Sequence, residues 1–295
     1  MSQNIKNLML PLAMVSGAVF HKWMGELTFL SPYLIFMMLF ITYCKLRPSD
    51  FKPHRMQAVL LAVQMLLAAA VYGALTWWKH TLAEGVFICI YIPTATAAPV
   101  ITSMLGGSIS SVATFSLISN LFVALTGPLV LAAVGDHAEY TFMQSMWLIM
   151  RGVFPLLLLP LAAALGVRYL IPKLHSRLVG MQQLSFYLWA VSLVIVVGSC
   201  VSFAISHWRP DNTWTMILLA LGALAACLIQ FKLGRMVGGH YGDKVSGGQG
   251  LGQKNTVLAV WLALAYMHPI ASIAPAAYIA WQNIINSWQL VRHRG

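Results

Sequence analysis

The sequence predicts an all-α protein that crosses a membrane many times. Of its 295 residues, 59% are hydrophobic and only 8% are charged, whereas soluble domains carry about 25% charged residues. The apolar residues fall into runs of roughly 20, which is the length that a helix needs to cross a bilayer. The connections between these runs are short, so we expect a single transmembrane transporter domain over residues 1–295.

Ten apolar segments are long enough to be transmembrane helices. They cover residues 7–24, 27–46, 55–78, 83–107, 109–134, 142–170, 182–206, 213–237, 244–268 and 271–291. Five spans followed by five more place the second half upside down relative to the first. This inverted-repeat arrangement is found in many secondary transporters. We therefore expect one five-helix repeat over residues 1–138 and an inverted one over residues 139–295.

The basic residues predict the orientation of the spans. If the N-terminus is cytoplasmic, thirteen of the 18 lysines and arginines lie on the cytoplasmic side and three lie outside. The remaining two, Arg151 and Lys254, lie within spans. This distribution follows the positive-inside rule, so we expect a cell (inner) membrane protein with both termini in the cytoplasm. It also explains the net charge of +11 without a nucleic-acid partner.

The sequence indicates no enzyme chemistry. It contains no His-Glu-x-x-His, no pair of membrane aspartates and no Gly-x-Ser-x-Gly. The four cysteines lie in or beside apolar spans and do not form a Cys-x-x-Cys pair, which is typical of small core residues. We therefore expect no catalytic residues, no cofactor and no bound metal.

Two spans contain helix-breaking residues at corresponding places, the fourth span of each half. Span four is interrupted within residues 87–100, which include Pro93 and Pro99, and span nine within residues 247–255, which begin with a glycine cluster. Proline cannot donate to the helical hydrogen-bond ladder, and glycine weakens a helix interior. Paired breaks of this kind mark the binding site of many secondary transporters. We therefore predict that helices 4 and 9 are broken, with a binding site at the breaks.

Several short motifs, taken in order, resemble the bile acid:sodium symporter family. They are Lys45–Phe51, Pro93 with Thr96–Ala97, Thr126–Leu129, Pro155–Leu156, Gly252–Asn255, Leu258–Val260, Pro275 and Trp281–Ile284. Members of this family are ten-helix transporters of bile acids and other organic anions. The resemblance implies a panel domain and a core domain, with spans four and nine unwound where they cross in the core.

The sequence departs from this family at the positions that bind sodium. Sodium-coupled members use a glutamate and a glutamine in span nine, a serine–asparagine pair in span four, two hydroxyls in span five and a glutamine in span three. In that order, the positions here are Gly250, Lys254, Ala98, Pro99, Val112, Ser116 and Gln64. Most of the sodium ligands are missing, and one of their positions is occupied by the basic residue Lys254. We therefore expect that sodium is not bound.

Lys254 is the residue that we single out. A charge at the centre of a bilayer costs about 2.5–3.5 kcal/mol on insertion scales. We interpret its ammonium as a substitute for sodium, placed among carbonyls that the break frees. The alternatives are a lysine that snorkels to the cytoplasmic surface and a lysine that binds and releases a proton. The residues predicted to form the substrate or crossover site are Thr94, Thr96, Pro99, Gln253, Lys254, Asn255 and Asn283.

The leading hypothesis is a sodium-independent secondary transporter of a bile acid or a similar amphipathic carboxylate or sulfonate. Its expected partners are this small organic anion and the lipid bilayer. One alternative is a sodium- or proton-coupled symporter of a smaller carboxylate such as a pantoate-like acid. A metalloid exporter of similar fold is disfavoured because Thr94 stands where such proteins carry a cysteine. An alternative of another class is a membrane receptor or enzyme built on a transporter scaffold.

Overall fold

A computed structural model describes residues 3–45, 49, 52–135 and 141–294. Within these ranges the chain forms α-helices, short 3-10 helices and loops, with no β-strand, which confirms the all-α prediction. The helices are α1 (Gln3–Val19), α2 (His21–Met24), α3 (Ser31–Tyr43), α4 (Arg55–Thr76), α5 (His80–Tyr91), α6 (Ala98–Met104), α7 (Ile109–Val134), α8 (Phe142–Leu170), α9 (Pro172–Gly180), α10 (Gln182–His207), α11 (Thr213–His240), α12 (Lys244–Gly252), α13 (Thr256–Tyr266) and α14 (Ile273–Arg294). The predicted repeat boundary and most of the Lys45–Phe51 motif lie outside the described residues.

Five helical segments among the described residues are long and apolar enough to cross a membrane. They are Glu26–Tyr43, Arg55–Thr76, Ile109–Gly127, Gln183–His207 and Pro210–His240. Helices α5 and α13 are also apolar, but they have only 12 and 11 residues. Each is shorter than the roughly 20 residues that a complete span requires. The count of ten spans therefore stays a prediction.

Two segments of the chain, each about as long as a membrane span, consist of two helices separated by a short non-helical stretch. Helix α5 ends at Tyr91 and α6 begins at Ala98, while α12 ends at Gly252 and α13 begins at Thr256. Ile92 precedes Pro93 and has an extended backbone, with φ −56° and ψ 149°, as expected for a residue before proline. Gln253 is likewise extended, with φ −96° and ψ 111°.

The second break lies at the end of the predicted segment 247–255, and the glycines of this segment are themselves helical. Residues 247–252 are helical, and the unwound segment is 253–255. The glycines instead allow α12 to approach α11. A Cβ atom on Gly247 would lie 2.3 Å from the carbonyl oxygen of Gly234, and a Cβ on Gly234 would lie 2.3 Å from the carbonyl oxygen of Gly247. Only glycine at both positions permits this backbone contact.

Two large hydrophobic clusters organise the molecule. The first, here called the core cluster, is built from α4, α5, α7, α11, α13 and α14. The second, here called the panel cluster, is built mainly from α1, α3, α6, α8 and α10. Leu290 of α14 belongs to the panel cluster, so α14 contributes to both. The broken helices therefore lie where the two clusters meet.

We predict that Gly247→Ala destabilises the protein, because the added methyl group meets backbone atoms that cannot rotate away. Overpacking of this kind costs about 1–3 kcal/mol, so the melting temperature in detergent should fall by several degrees. Gly73→Ala is the matched control, since a Cβ at this helical position has no neighbour within 4 Å. Its melting temperature should be unchanged or higher, as expected for glycine replaced by alanine in a helix. Equal melting temperatures for the two variants would contradict the packing argument.

Candidate functional site

The two breaks pair with each other through their backbones. Thr94 and Lys254 form an isolated antiparallel β-bridge. The Ala95 N–H donates to the Gln253 carbonyl at 2.9 Å, and the Asn255 N–H donates to the Pro93 carbonyl at 3.0 Å. Helix ends leave backbone groups without intrahelical partners, and a buried group of this kind is costly when unpaired. Each break therefore supplies the hydrogen-bond partners that the other lacks.

The Lys254 side chain lies at this crossing. The residue is 1% exposed, and its Nζ donates to the Ile92 carbonyl at 3.1 Å. Ile92 is the C-cap of α5, where the helix dipole favours a cation. Gln64 of α4 donates from its Nε2 to the same carbonyl at 2.9 Å and to the Tyr91 carbonyl at 2.8 Å. The ammonium thus bonds a carbonyl freed by the break, inside the protein rather than at an exposed surface.

A second side chain, which the sequence analysis did not select, holds the peptide groups of Lys254. The Gln282 Oε1 accepts from the Lys254 N–H at 2.8 Å, and the Gln282 Nε2 donates to the Lys254 carbonyl at 3.3 Å. The Gln282 side-chain amide therefore bonds the main chain at Lys254 in the way that the backbone of a neighbouring strand would. Four residues earlier on α14, the Tyr278 hydroxyl donates to the Gly252 carbonyl at 2.8 Å, which is at the end of α12.

A network of neutral hydrogen bonds lies at the predicted sodium-ligand positions. The Thr94 hydroxyl donates to the Gly250 carbonyl at 2.6 Å. Asn120 Nδ2 donates to the Ser116 carbonyl at 2.7 Å and to the Thr94 carbonyl at 3.3 Å. These bonds engage backbone carbonyls at and beside the predicted ligand positions.

The remaining predicted ligand positions differ in what they offer a cation. Gln64 keeps a buried Oε1 that has no hydrogen-bond partner, so it retains one possible oxygen ligand. Val112 and Ala98 are buried and apolar, so their side chains carry no ligand atom. A Cβ on Gly250 would lie 3.0 Å from Cδ1 of Phe115. An acidic side chain at this position would therefore require Phe115 to move.

A cavity of about 90 Å³ lies between the two breaks and helices α3, α10 and α14. Five of the predicted site residues line it: Thr96, Gln253, Lys254, Asn255 and Asn283. Other polar lining residues are Ser192, Thr256 and Gln282. Its size is below the roughly 300–1,000 Å³ of pockets for drug-sized ligands, so in this conformation it accommodates a small group or part of a larger molecule.

The other two predicted site residues do not line this cavity. The Thr94 hydroxyl is fully buried and donates to the Gly250 carbonyl of the other broken helix, so it stabilises the crossing. Pro99 occupies the first turn of α6 and is buried. Asn255 has a mixed position, because it lines the cavity while its Oδ1 accepts from the Leu258 N–H at 3.3 Å and caps α13.

Sequence reasoning missed Gln282, Tyr278 and Asn120 as parts of the crossing. A signal was present, because polar side chains inside apolar spans are costly and need partners. Gln282 and Asn283 adjoin in span ten, and Asn120 lies within span five. The sequence alone does not show that these spans turn their polar residues toward the breaks.

Two comparisons with known proteins found no match for this chain. No protein-family model matches it, and no curated protein matches it. The resemblance to the bile acid:sodium symporter family therefore rests on the short motifs described above and stays a prediction.

We predict that Gln282→Leu destabilises the protein more than Asn283→Leu does. The first change removes the acceptor of the Lys254 N–H and one of two donors to the Lys254 carbonyl, which also accepts from the Thr256 N–H at 2.9 Å. A buried N–H left without a partner costs about 1–3 kcal/mol. The second change removes only a bond within α14, from Asn283 Nδ2 to the Ile279 carbonyl at 2.7 Å. Melting temperatures in detergent measure the difference. A larger loss for Asn283→Leu would show that Gln282 does not hold the crossing.

Proposed function

We propose that this protein is a secondary transporter of organic anions that works by alternating access without sodium. In this proposal the chain has ten spans in two inverted five-helix repeats, lies in the cell membrane and has both termini in the cytoplasm. The observation that carries it is the buried Lys254 ammonium, which bonds the carbonyl end of one broken helix beside the other break. Broken helices that place charged groups and helix ends at one site are a transporter feature.

The charge of the site favours an anion. Lys254 lines the cavity, and none of the described residues that line it is acidic. The N-terminus of α13, which begins at Thr256, also borders the cavity and presents the positive end of a helix dipole. Amide and hydroxyl groups of Gln253, Asn255 and Thr96 supply additional hydrogen-bond donors there.

The same geometry disfavours sodium at the crossing. A lysine ammonium repels a second cation placed nearby, and this repulsion is stronger inside a protein than in water. The Gly250 carbonyl, which belongs to a predicted ligand position, already accepts from Thr94. We therefore propose that Lys254 provides permanently the positive charge that sodium provides in the related transporters.

The size of the cavity supports a second candidate, transport of a smaller carboxylate such as a pantoate-like acid. A cavity of about 90 Å³ has the volume of roughly three molecules of liquid water. A whole bile acid requires the panel and core clusters to separate, whereas a small hydroxy acid fits with less rearrangement. In both proposals the acidic group of the substrate binds at the crossing. The two candidate substrates differ in the rest of their structure.

Uptake into liposomes tests the proposed function. The purified protein is reconstituted and supplied with labelled cholate, and then with smaller carboxylates and sulfonates. Each solute is tested with a sodium gradient, with a pH gradient and with neither. We expect uptake above that of empty liposomes, at a rate that does not change with the sodium gradient. Strong stimulation by sodium would contradict the proposed role of Lys254, and binding without uptake would indicate a receptor.

We predict that Lys254→Met lowers the uptake rate at least about tenfold, which corresponds to about 1.4 kcal/mol. Methionine preserves the apolar stem but removes the charge and the bond to Ile92. Lys79→Met is the matched control, because the Lys79 ammonium donates to the Thr215 hydroxyl at 2.7 Å and does not line the cavity. Its uptake should stay within about twofold of wild type. An unchanged uptake rate in Lys254→Met would show that the Lys254 charge has no role in transport.

A further inference from the structure

Three buried amides form a cluster near the ends of α12 and α14. Gln249 Nε2 donates to Asn286 Oδ1 at 3.1 Å and to Gln289 Oε1 at 3.2 Å. All three side chains are buried, and Asn286 is completely so. We call Gln249, Asn286 and Gln289 the inner amide cluster.

The inner amide cluster lies next to the cavity along α12 and α14, and its three side chains are not among the lining residues. The N–H of the cavity residue Gln253 donates to the Gln249 carbonyl at 3.1 Å, which places Gln249 one turn earlier. Asn286 follows the cavity residue Asn283 by three positions on α14. Residues three or four apart lie on the same face of a helix, and one turn advances about 5.4 Å. The cluster therefore lies about one turn from the cavity, toward the end of the molecule that the proposed orientation places in the cytoplasm.

This face of α14 lies where the two hydrophobic clusters meet. Leu290, which follows Gln289, packs in the panel cluster, while Tyr278 packs in the core cluster. Helix α14 also contacts α1 and α10 of the panel cluster. A path that opens between the panel and core clusters on the cytoplasmic side would thus run along the inner amide cluster.

The inner amide cluster has hydrogen-bonding capacity that the protein does not use. Gln249 Oε1 and Asn286 Nδ2 are buried and have no protein partner. If all three amides of the cluster are rotated so that nitrogen and oxygen exchange places, Gln249 Nε2 and Asn286 Oδ1 are left over instead. Buried polar groups in native proteins nearly always have a hydrogen-bond partner. Gln249 Oε1 therefore requires a donor, and Asn286 Nδ2 requires an acceptor.

We propose that the inner amide cluster is a second binding site, which holds an uncharged hydrogen-bonding group of the transported anion. A hydroxyl both donates and accepts, so it pairs with Asn286 Nδ2 and Gln249 Oε1 together. An amide group does the same. The inference rests on the proposed function and narrows its substrates to anions that carry a hydroxyl or amide about one helical turn from the acidic group.

Two matched sulfonates test this specificity. Labelled 4-hydroxybutanesulfonate and butanesulfonate differ by one hydroxyl, and both remain ionised, so neither crosses the bilayer unaided. We expect the wild-type protein to transport the hydroxylated anion at least about fivefold faster. Gln249→Met and Asn286→Leu should each abolish this preference. Its persistence in both variants, or its absence in a wild type that transports both anions, would overturn the proposal.

Gln57→Met is the control for the loss of a buried amide. Gln57 joins α4 to α7, donating to the Ser111 carbonyl at 3.4 Å and to the Ser111 hydroxyl at 3.2 Å, and it does not line the cavity. This variant should keep the preference for the hydroxylated anion even if its melting temperature falls. Loss of the preference in Gln57→Met as well would show that the effect is a general consequence of destabilisation, and would overturn the proposal.

Thiol labelling tests the route without relying on transport. The Asn286→Cys variant is treated, in vesicles that expose the end of α14, with a membrane-impermeant thiol reagent. Wild-type protein, in which Cys44, Cys89 and Cys227 are buried, measures the background, and Arg292→Cys, at an exposed position, is the positive control. We expect the thiol introduced at position 286 to react above background. No reaction at this position would overturn the inner site.

The two measurements separate failure of the inference from failure of the proposed function. If neither sulfonate enters the liposomes while the Asn286→Cys variant is labelled, transport of these anions is refuted and the water-accessible inner site stands. If the sulfonates are transported while the introduced thiol stays unreactive, the proposed function stands and the inner amide cluster is only a structural contact between α12 and α14.

Discussion

Mutual pairing of two broken helices is the constraint on which the rest of this structure depends. A helix interrupted inside an apolar protein exposes N–H and C=O groups that have no water to bind. Here the two unwound segments lie antiparallel, and the bridge between Thr94 and Lys254 satisfies groups of both. Gln282 and Tyr278 then complete the pairing from α14. Close packing of α12 on α11, through Gly247 and Gly234, brings one break to the other.

The pairing also explains why a charged residue is tolerated at this depth. The Lys254 ammonium reaches the carbonyl end of α5, where the freed Ile92 oxygen and the helix dipole both favour a cation. The same residue borders a polar cavity. One charge thus stabilises the irregular backbone and supplies the positive potential that an anionic substrate requires. This coincidence links the fold to the proposed transport of organic anions.

The sequence predicted the helical class, and it predicted correctly that Pro93 ends a helix. It predicted a break within residues 247–255, and the unwound residues are 253–255. It did not show that the glycines themselves are helical, because glycine serves either an unwound turn or a close helix contact, and only the position of α11 decides between them. Thr94 was predicted as part of the substrate or crossover site, and its hydroxyl bonds the Gly250 carbonyl of the other broken helix. Partners such as Gln282 and Asn120 come from spans distant in sequence. Their roles depend on helix rotation, which apolar spans with few polar residues do not specify.

Thermal stability in different salts tests most directly the claim that Lys254 replaces sodium. The melting temperature of the purified protein is measured in about 200 mM sodium chloride, potassium chloride and choline chloride. A ligand that binds only the folded state raises stability by about 2.7 kcal/mol at a concentration one hundred times its Kd. Our account predicts the same melting temperature in all three salts. A melting temperature several degrees higher in sodium chloride alone would show a sodium site and contradict the account.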